Sequence, residues 1–492
     1  MNKTLIRLLL PLAVFLIPAY RCVCGQGTVS PYDYGLREAS GPMGRYYALY
    51  NAHRDALYMG MEVSYDGIDT LEIELPPKWK SIPLGPRTDF NGLVLYVTNH
   101  VGHGSLFSLT GTPHSVEFDK ALVDSLDFRS VPELATGHHL LVLKDQTPWT
   151  ERRGYGYQQY RADLIVVEEG RGLNSPIAAW NTDSTCLEAS YYDFDPAVSS
   201  SVCNLTMHRT PGCTYRTGCL SVTGQNAVTV SNIRVTTPRS KMIADGVFRV
   251  SNCANIRFDN DTVEGTYSGY GSTRDYGYAF SMNNVYAASF YGVKADGNWG
   301  VFGTNNLNGT HLVHCDINRF DIHCYGRDAR LTGCTLRQRQ TQFSSMYGTV
   351  EYDSCRFVDC IPLRIRSSYN AYTPFDIVMR GCTFELTLRY HSLVNVMLLD
   401  TADNPRPELN PKCWPNLTVE DMTVVVPWTV GTMNLFDPTG TKAELRREFD
   451  HISEVTVHGL RMERPGGREV SVPLRLSSRK FKTVNELKYI VE

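Results

Sequence analysis

A short phrase repeats through the middle of the chain: a cysteine, any residue, and then a large apolar residue. Alternating apolar residues such as Leu312 and Leu331 come just upstream of the copies. Repetition at a loose period of roughly 20 to 30 residues, with period-two alternation inside each unit, predicts a parallel β-solenoid whose stacked coils share one core. The copies lie at spacings of 19, 21 and 27 residues and read Cys315-Asp-Ile317, Cys334-Thr-Leu336, Cys355-Arg-Phe357 and Cys382-Thr-Phe384.

The same phrase continues without cysteine in both directions, from Leu205-Thr-Met207 to Leu460-Arg-Met462. We therefore assign the solenoid, with its loop insertions, to residues 62–476. Residues 25–61 form an N-terminal segment with a helix at 43–60 that ends at Gly60, and residues 477–492 form a C-terminal cap or tail. The helix is predicted to close the first coil, because an open solenoid end exposes core and strand edges.

The first 24 residues are predicted to be a signal peptide. Lys3 and Arg7 supply the charged start and residues 8–19 the apolar run, which is too short to span a membrane. A lipid anchor at Cys22 or Cys24 is an alternative, but the residues before them are not the small ones that such processing prefers. The protein is therefore predicted to be exported to the periplasm, the medium or the cell surface, and no later segment has a transmembrane pattern.

Charge and cysteine usage narrow the function classes. Lys and Arg number 48 against 51 Asp and Glu, and a net charge of −3 argues against a nucleic-acid partner.

Twelve cysteines follow the signal, which favours disulfides in an exported protein. The four repeated cysteines instead hold equivalent places in successive coils, which predicts buried thiols. A disulfide within either of the close pairs Cys213/Cys219 and Cys355/Cys360 stays an alternative. Without a CxxC motif or clustered histidines we predict no metal site and no cofactor, and no motif indicates Ca²⁺.

The repeat, together with the Asn-φ-x-φ phrase at Asn255-Ile-Arg-Phe258, resembles the right-handed parallel β-helix superfamily of pectate lyases and related polysaccharide enzymes. The resemblance covers roughly residues 62–476 and implies an all-β, single-stranded, right-handed parallel β-helix. It also implies a polysaccharide or oligosaccharide partner, and a cleft on the face formed by the strand after the long corner loop. A shared architecture does not by itself define a reaction.

The strands of that face begin near residues 300, 321, 342 and 363. If Ile322 and Cys324 face the core, alternation predicts that their neighbours Asp321, His323, Tyr325 and Arg327 face solvent. The same argument predicts outward-facing side chains for Arg364, Arg366 and Gln342. Because neighbouring strands lie about 4.8 Å apart, these side chains are predicted to share one patch.

The residues of this patch suit an acidic sugar. Arg364 and Arg366 can bind a carboxylate and stabilise the enolate of β-elimination, with His323 and Tyr325 as base and acid. Hydrolysis instead needs two carboxylates, and Asp321 could pair with Asp296 or Asp316. Asp316 belongs to another face, so the lyase hypothesis is slightly favoured. The predicted catalytic residues are His323, Tyr325, Arg364, Arg366 and Asp321, and the predicted substrate-binding residues are Gln342, Arg327, Trp299, Tyr278 and Asn305.

Two other interpretations stay open. Outward polar residues of a β-helix are often ordinary solvated ladder members, and the protein would then be a non-catalytic glycan-binding or adhesive surface solenoid. A phage-like spike would need trimer contacts, which no feature of the sequence requires, and the oligomeric state stays open. Residues 138–143 and 163–167 are predicted strands, and the aromatic and basic residues 149–160 between them form either a binding loop or a loop packed on the solenoid.

Overall fold

The fold is known from a computed structural model, which does not describe the predicted signal peptide or Cys22 and Cys24. The described residues are 27–39, 41–100, 102, 104–152, 157–177, 187–210, 217–237, 246–265, 278–296, 300–322, 325–337, 341–358, 363–365, 375–388, 391–397, 402–403, 415–439, 454–477 and 488–491. None of the helices within these ranges combines the length and the apolar character needed to cross a bilayer.

The chain forms a right-handed parallel β-helix, as predicted. Each coil contributes strands to three faces, and long strands bend from one face to the next. The first face contains Ile82–Pro83, Gly104–Thr110, Thr217–Thr223, the beginnings of Phe248–Asp259, Phe280–Tyr291 and Val301–Val313, then Phe320–Ile322, Gln342–Phe343, Leu363–Ile365, Ser392–Met397, Met433–Thr439 and Leu474–Ser477.

The second and third faces complete the coil. The second face contains the beginnings of Arg87–Asn99, Ser200–Arg209 and Asn226–Thr236, the ends of the three long strands of the first face, then Gly326–Thr332, Met346–Asp353, Phe375–Arg380, Asn416–Glu420, Glu454–His458 and Lys488–Val491. The third contains Thr70–Leu75, the ends of Arg87–Asn99, Ser200–Arg209 and Asn226–Thr236, then Thr262–Glu264, Lys294–Asp296, Asp316–Ile317, Thr335–Arg337, Arg356–Val358, Thr383–Glu385, Thr423–Val425 and Arg461–Arg464, which turns back into Arg468–Glu469.

The apolar residues of the repeated motif stack in register inside the coil. Ile317, Leu336 and Phe357 pair on successive coils of the third face and are buried. Cys315, Cys334, Cys355 and Cys382 lie in the same core as buried free thiols, and Cys219 is also a free thiol. The parallel ladder therefore turns a loose sequence period into one continuous core.

A helix closes the first coil. It spans Pro42–Met59, and Gly60 ends it with φ of 68°, a left-handed conformation that glycine adopts without strain. Its residues Tyr46 and Leu49 join the core of the coils. The short strands Thr28–Val29 and Glu62–Val63 pair beside it, and Pro31–Tyr34 forms a 3₁₀ turn.

A separate antiparallel sheet is inserted after the first coils. Its centre is a hairpin of His138–Arg152 and Tyr157–Glu168, so residues 149–152 and 157–160 belong to strands, and the predicted loop interpretation is wrong for them. One side of the sheet packs on the helix Ala121–Ser125 and on Phe128. The other side covers the corner between the first and second faces of the coil. The remaining strands are Pro113–Ser115, Arg171–Gly172, Leu187–Asp193 and Ala402–Asp403.

An asparagine ladder turns the coil at that covered corner. Asn252, Asn284 and Asn306 have φ values of 54°, 57° and 76°, and asparagine tolerates this left-handed region better than most residues. Asn284 Nδ2 donates to Asn252 Oδ1, and Asn306 Nδ2 donates to Asn284 Oδ1, both at 2.9 Å. Asn252 and Asn284 also donate to the Tyr192 hydroxyl and the Asp163 carbonyl, both at 3.5 Å. The ladder therefore bends the chain and joins the inserted sheet to it.

Candidate functional site

The structure brings several of the predicted site residues into one row on the first face. Asp321 pairs with Gln342, Gln342 with Arg364, and Arg364 with Asn395 on successive coils. The predicted neighbourhood of Asp321, Gln342 and Arg364 is therefore confirmed, because equivalent positions of successive coils stack in a parallel ladder. Asn395 was not predicted, although it holds the same place in the next coil.

Asp321 is not at the surface, and the prediction that it faces solvent is wrong. It is 0% exposed and forms an ion pair with Arg319. The Tyr278 hydroxyl donates a hydrogen bond to Asp321 Oδ2 at 2.9 Å. Gln342 is also buried, with its amide oxygen oriented to accept from Arg319. Alternation correctly indicated that Asp321 points away from the coil core, but it could not show that other groups cover that side.

Tyr278 is likewise buried, so it offers no stacking surface to a sugar. Burial, together with the neighbouring Asp321 carboxylate, raises its pKa well above the ordinary value. The nearby Arg319 charge acts in the opposite direction. Tyr278, Arg319 and Asp321 therefore form a buried ion-pair and hydrogen-bond cluster beneath the surface of the first face.

Tyr325 is also buried, beneath the inserted sheet. Its hydroxyl accepts a hydrogen bond from the Ala162 N–H at 2.9 Å and donates one to the Ala162 carbonyl. Burial and the charge of Asp163 raise the pKa of Tyr325 well above its ordinary range. Its predicted solvent exposure is therefore wrong, and the raised pKa does not support the predicted role as a proton donor or acceptor at neutral pH. The residue instead continues the asparagine ladder and holds the inserted sheet, because Asn306 N donates to the Tyr325 carbonyl at 3.1 Å.

A second buried ion pair lies close to Tyr325. Arg161 Nη2 donates to Asp163 Oδ2 at 3.2 Å, with side-chain exposures of 6% and 1%. Asp163 Oδ1 also accepts from the Ile177 N–H at 3.2 Å. Both buried pairs have the form Arg-x-Asp, as in Arg319-Phe-Asp321, which is the one sequence signal that could have indicated them.

Arg327 is the predicted binding residue that reaches the surface beside the inserted sheet. It is half-buried, and its Nη1 donates to Ser175 Oγ at 3.4 Å and to the Pro176 carbonyl at 3.3 Å. Within the part of the chain that the structure describes, no carboxylate lies within ion-pair distance of Arg327. Asn308 and Tyr347 pair with it on the coils before and after. We call Asn308, Arg327 and Tyr347 the seam.

Tyr347 in the seam is partly exposed, whereas Asn308 is 8% exposed. An amide, a guanidinium and an aromatic ring therefore follow one another along the coil axis at a spacing of about 4.8 Å. Tyrosine can present its ring face to a sugar while its hydroxyl stays hydrated, and arginine recognises planar anions. The seam thus has the types of side chain that recognise an acidic saccharide.

Arg364 is the second predicted cation that is partly exposed. Its Nε donates to Asn395 Oδ1 at 3.2 Å, and Asn395 Nδ2 donates to the Asp437 carbonyl at 2.9 Å. This relay across three coils orients the guanidinium before any ligand arrives. It lies on the first face, next to the corner at which the seam begins.

Several predicted site residues are not described. His323, Arg366 and Trp299 lie outside the described residues, and only the backbone of Asn305 is described, within Val301–Val313. Their roles stay predictions.

The two aspartates named as hydrolytic partners of Asp321 lie on strands of a different face. Asp296 and Asp316 both lie on strands of the third face, not on the first face with Asp321. Asp316 is bound by Arg337 Nε at 2.7 Å.

Two other arginines of the second face differ from Arg327 because carboxylates neutralise them. Arg380 contacts Glu351 and Glu420, both at 2.6 Å, and Arg330 contacts Asp353 at 3.3 Å. Such exposed ion-pair networks are ordinary surface features with little individual effect on stability. Among the described residues no three His, Cys, Asp or Glu side chains are grouped as metal ligands.

The strand order and register define the class: this is a right-handed parallel β-helix protein. No protein-family model matches the chain, and no curated protein matches it. Among solved structures it is similar to the tailspike protein gp49 from Pseudomonas phage LKA1, with 12% identity, a TM-score of 0.47, and coverage of 94% of this chain and 84% of that chain.

Two further solved structures are similar at lower scores. One is the Gp54 tailspike of Acinetobacter baumannii bacteriophage AP22, in complex with A. baumannii capsular saccharide, with 10% identity, a TM-score of 0.35, and coverage of 88% of this chain and 79% of that chain. The other is the Streptococcus pneumoniae surface protein and adhesin PfbA, with 8% identity, a TM-score of 0.32, and coverage of 94% of this chain and 100% of that chain. At these identities the likeness is one of fold.

Proposed function

We propose that this protein is an exported or surface β-helix that binds an acidic polysaccharide along the seam, with Arg327 as the residue that meets the sugar carboxylate. The observation that supports this most directly is the environment of Arg327. It is a partly exposed guanidinium held by a hydroxyl and a carbonyl, without a carboxylate among the described residues. An anionic ligand would supply the missing counter-charge through charge-assisted hydrogen bonds.

The neighbouring coils support the choice of a sugar as this ligand. Tyr347 offers a ring for a pyranose face on one side of Arg327, and Asn308 offers amide donors and acceptors on the other. A polysaccharide repeats its charge along its length, and the solenoid repeats its coils along its axis. Arg364, oriented through Asn395, would meet a second acidic unit near the same corner.

Binding is the activity that the described residues support better than cleavage. Of the predicted catalytic residues, Asp321 and Tyr325 are buried and engaged within the fold. A lyase site would then rest on His323, Arg364 and Arg366. Cleavage by elimination is the second candidate, and the partly exposed, oriented guanidinium of Arg364 is the observation that favours it.

The test measures binding of polygalacturonate, hyaluronan and neutral dextran by calorimetry. Arg327→Ala is expected to weaken binding of the acidic polymers about 10- to 100-fold, the usual worth of a hydrogen bond to a charged group. Arg330→Ala is the matched control, because it removes the same charge from the same strand where carboxylates already neutralise it. Equal affinities of the wild type and Arg327→Ala, or equally tight binding of dextran, would refute the proposal.

The same incubations test cleavage. New absorbance from unsaturated products that disappears in Arg364→Ala would support the lyase candidate, whereas new reducing ends alone would indicate hydrolysis. Polymers that are bound and recovered at full length would support a binding protein.

A further inference from the structure

A second surface, at the corner between the third and first faces, exposes large apolar side chains on two consecutive coils. Trp428 is 62% exposed and Leu388 is 69% exposed. Each follows by three residues a strand of the third face, and these two strands pair with each other. Isolated exposed apolar residues are common on protein surfaces, so this exposure needs a second observation before it indicates a site.

The second observation is a pair of arginines on the following coil. Arg464 and Arg468 are directly opposite each other in the antiparallel hairpin Arg461–Arg464 and Arg468–Glu469. Like charges in this arrangement repel each other. In the described ranges neither arginine has a carboxylate within ion-pair distance. Glu463 and Glu469 form the neighbouring pair and therefore lie on the other side of the hairpin.

Backbone contacts hold Arg464 beside the tryptophan. Its Nη1 donates to the Pro427 carbonyl at 2.5 Å and to the Val430 carbonyl at 3.1 Å, on either side of Trp428. The guanidinium carbon lies 5.7 Å from the centroid of the indole. Thus an exposed aromatic face adjoins a positioned cation, and a second exposed cation lies across the hairpin.

We propose that Trp428, Arg464 and Arg468 form a second saccharide-binding site, for an acidic pyranose whose ring lies on the indole and whose carboxylate lies between the two guanidinium groups. The anion removes the repulsion between Arg464 and Arg468, and the apolar face of the sugar covers the exposed indole. The choice of a sugar as ligand rests on the proposed function. A single-stranded nucleic acid could also stack on an indole, but the net charge of −3 and the glutamates on the same hairpin disfavour a dense polyanion.

This site is separate from the seam. The seam lies at the corner between the first and second faces, on the coils of Asn308, Arg327 and Tyr347. Trp428 lies at another corner and follows the strand Thr423–Val425, nearer the end of the solenoid. Short ligands would occupy the two sites independently, which makes their failures distinguishable.

The experiment titrates trigalacturonate into the full-length protein and its variants by calorimetry. The wild type is expected to bind two molecules of trigalacturonate per chain. Trp428→Ala and Arg468→Ala are each expected to bind one molecule, because the affinity of the second site falls at least tenfold. Arg461→Ala, an exposed cation on the other side of the same hairpin, should bind like the wild type. Both affected side chains are exposed, so thermal melting should show folded variants. Arg468→Ala should melt slightly higher than the wild type in low salt, because like-charge repulsion is removed.

The variants at the two sites test this inference separately from the proposed function. Loss of one site in Arg327→Ala and of the other in Trp428→Ala supports both. Unchanged binding in Arg327→Ala with loss in Trp428→Ala refutes the seam but supports the second site. Wild-type stoichiometry and affinity in both Trp428→Ala and Arg468→Ala overturns the second site, and so does tighter binding there of an oligodeoxynucleotide than of trigalacturonate.

Discussion

A buried histidine in the capping helix is expected to make the first coil sensitive to acid. His53 is 1% exposed, its Nε2 lies 2.5 Å from the Tyr65 hydroxyl, and the rings of Phe90 and Phe107 are close by. Among the described residues its Nδ1 has no hydrogen-bond partner. Burial lowers the pKa of His53 from 6.5 to about 3. The imidazole is therefore neutral in the folded cap, whereas the opened cap takes up a proton below pH 6.5.

The sign and size of the effect follow from this difference. Because the open state binds more protons than the closed state between pH 6.5 and pH 3, stability is lost as the pH falls through that window. From pH 8 to pH 5 the loss from His53 alone is about 2 kcal/mol. This figure depends almost wholly on the pKa of the open state, because at pH 5 the folded imidazole is still neutral.

Hydrogen exchange of peptides from the helix, corrected for the intrinsic effect of pH, measures the free energy of this local opening. The wild type should lose about 2 kcal/mol between pH 8 and pH 5, and His53→Phe should lose much less over the same range. The variant retains an aromatic ring but leaves the Tyr65 hydroxyl without its His53 partner, so its opening free energy at pH 8 is expected to be lower than that of the wild type. Parallel pH profiles of the two proteins would show that His53 does not control the cap.

Three further predictions concern the coils and the inserted sheet. Tyr325→Phe removes both hydrogen bonds to Ala162 and should lower the opening free energy of the inserted strand by about 1 to 3 kcal/mol. Hydrogen exchange measures this change, and unchanged protection of the strand would refute the prediction. Leu336→Ala should destabilise the solenoid by about 3 kcal/mol in urea unfolding, whereas its half-buried neighbour Thr335→Ala should change little, and equal losses would contradict the assigned register. Burial raises the pKa of Cys253 to about 12, so its thiol should resist alkylation at pH 8 until the protein is denatured, and rapid native labelling would contradict this.

The sequence was sufficient to predict the β-helical coil because every coil repeats the same local pattern of apolar residues. A parallel ladder requires each coil to present apolar residues at the same place, so the Cys-x-φ phrases predict both strands and register. The helix that closes the first coil followed from the same reasoning, since an open end is unstable. The stacking of Asp321, Gln342 and Arg364 could also be predicted, because equivalent positions of successive coils lie above one another.

Only the tertiary structure decided which outward side chains meet solvent. Alternation indicates the side of a strand on which a residue lies, but what covers that side depends on chain far away in sequence. Tyr325 is covered by the strand of Ala162, which lies 163 residues upstream, and the carboxylate of Asp321 accepts a hydrogen bond from Tyr278, which lies 43 residues upstream. The period of the coil determines its core, whereas the position of an insertion determines its accessible surface, and a ligand can bind only what that surface exposes.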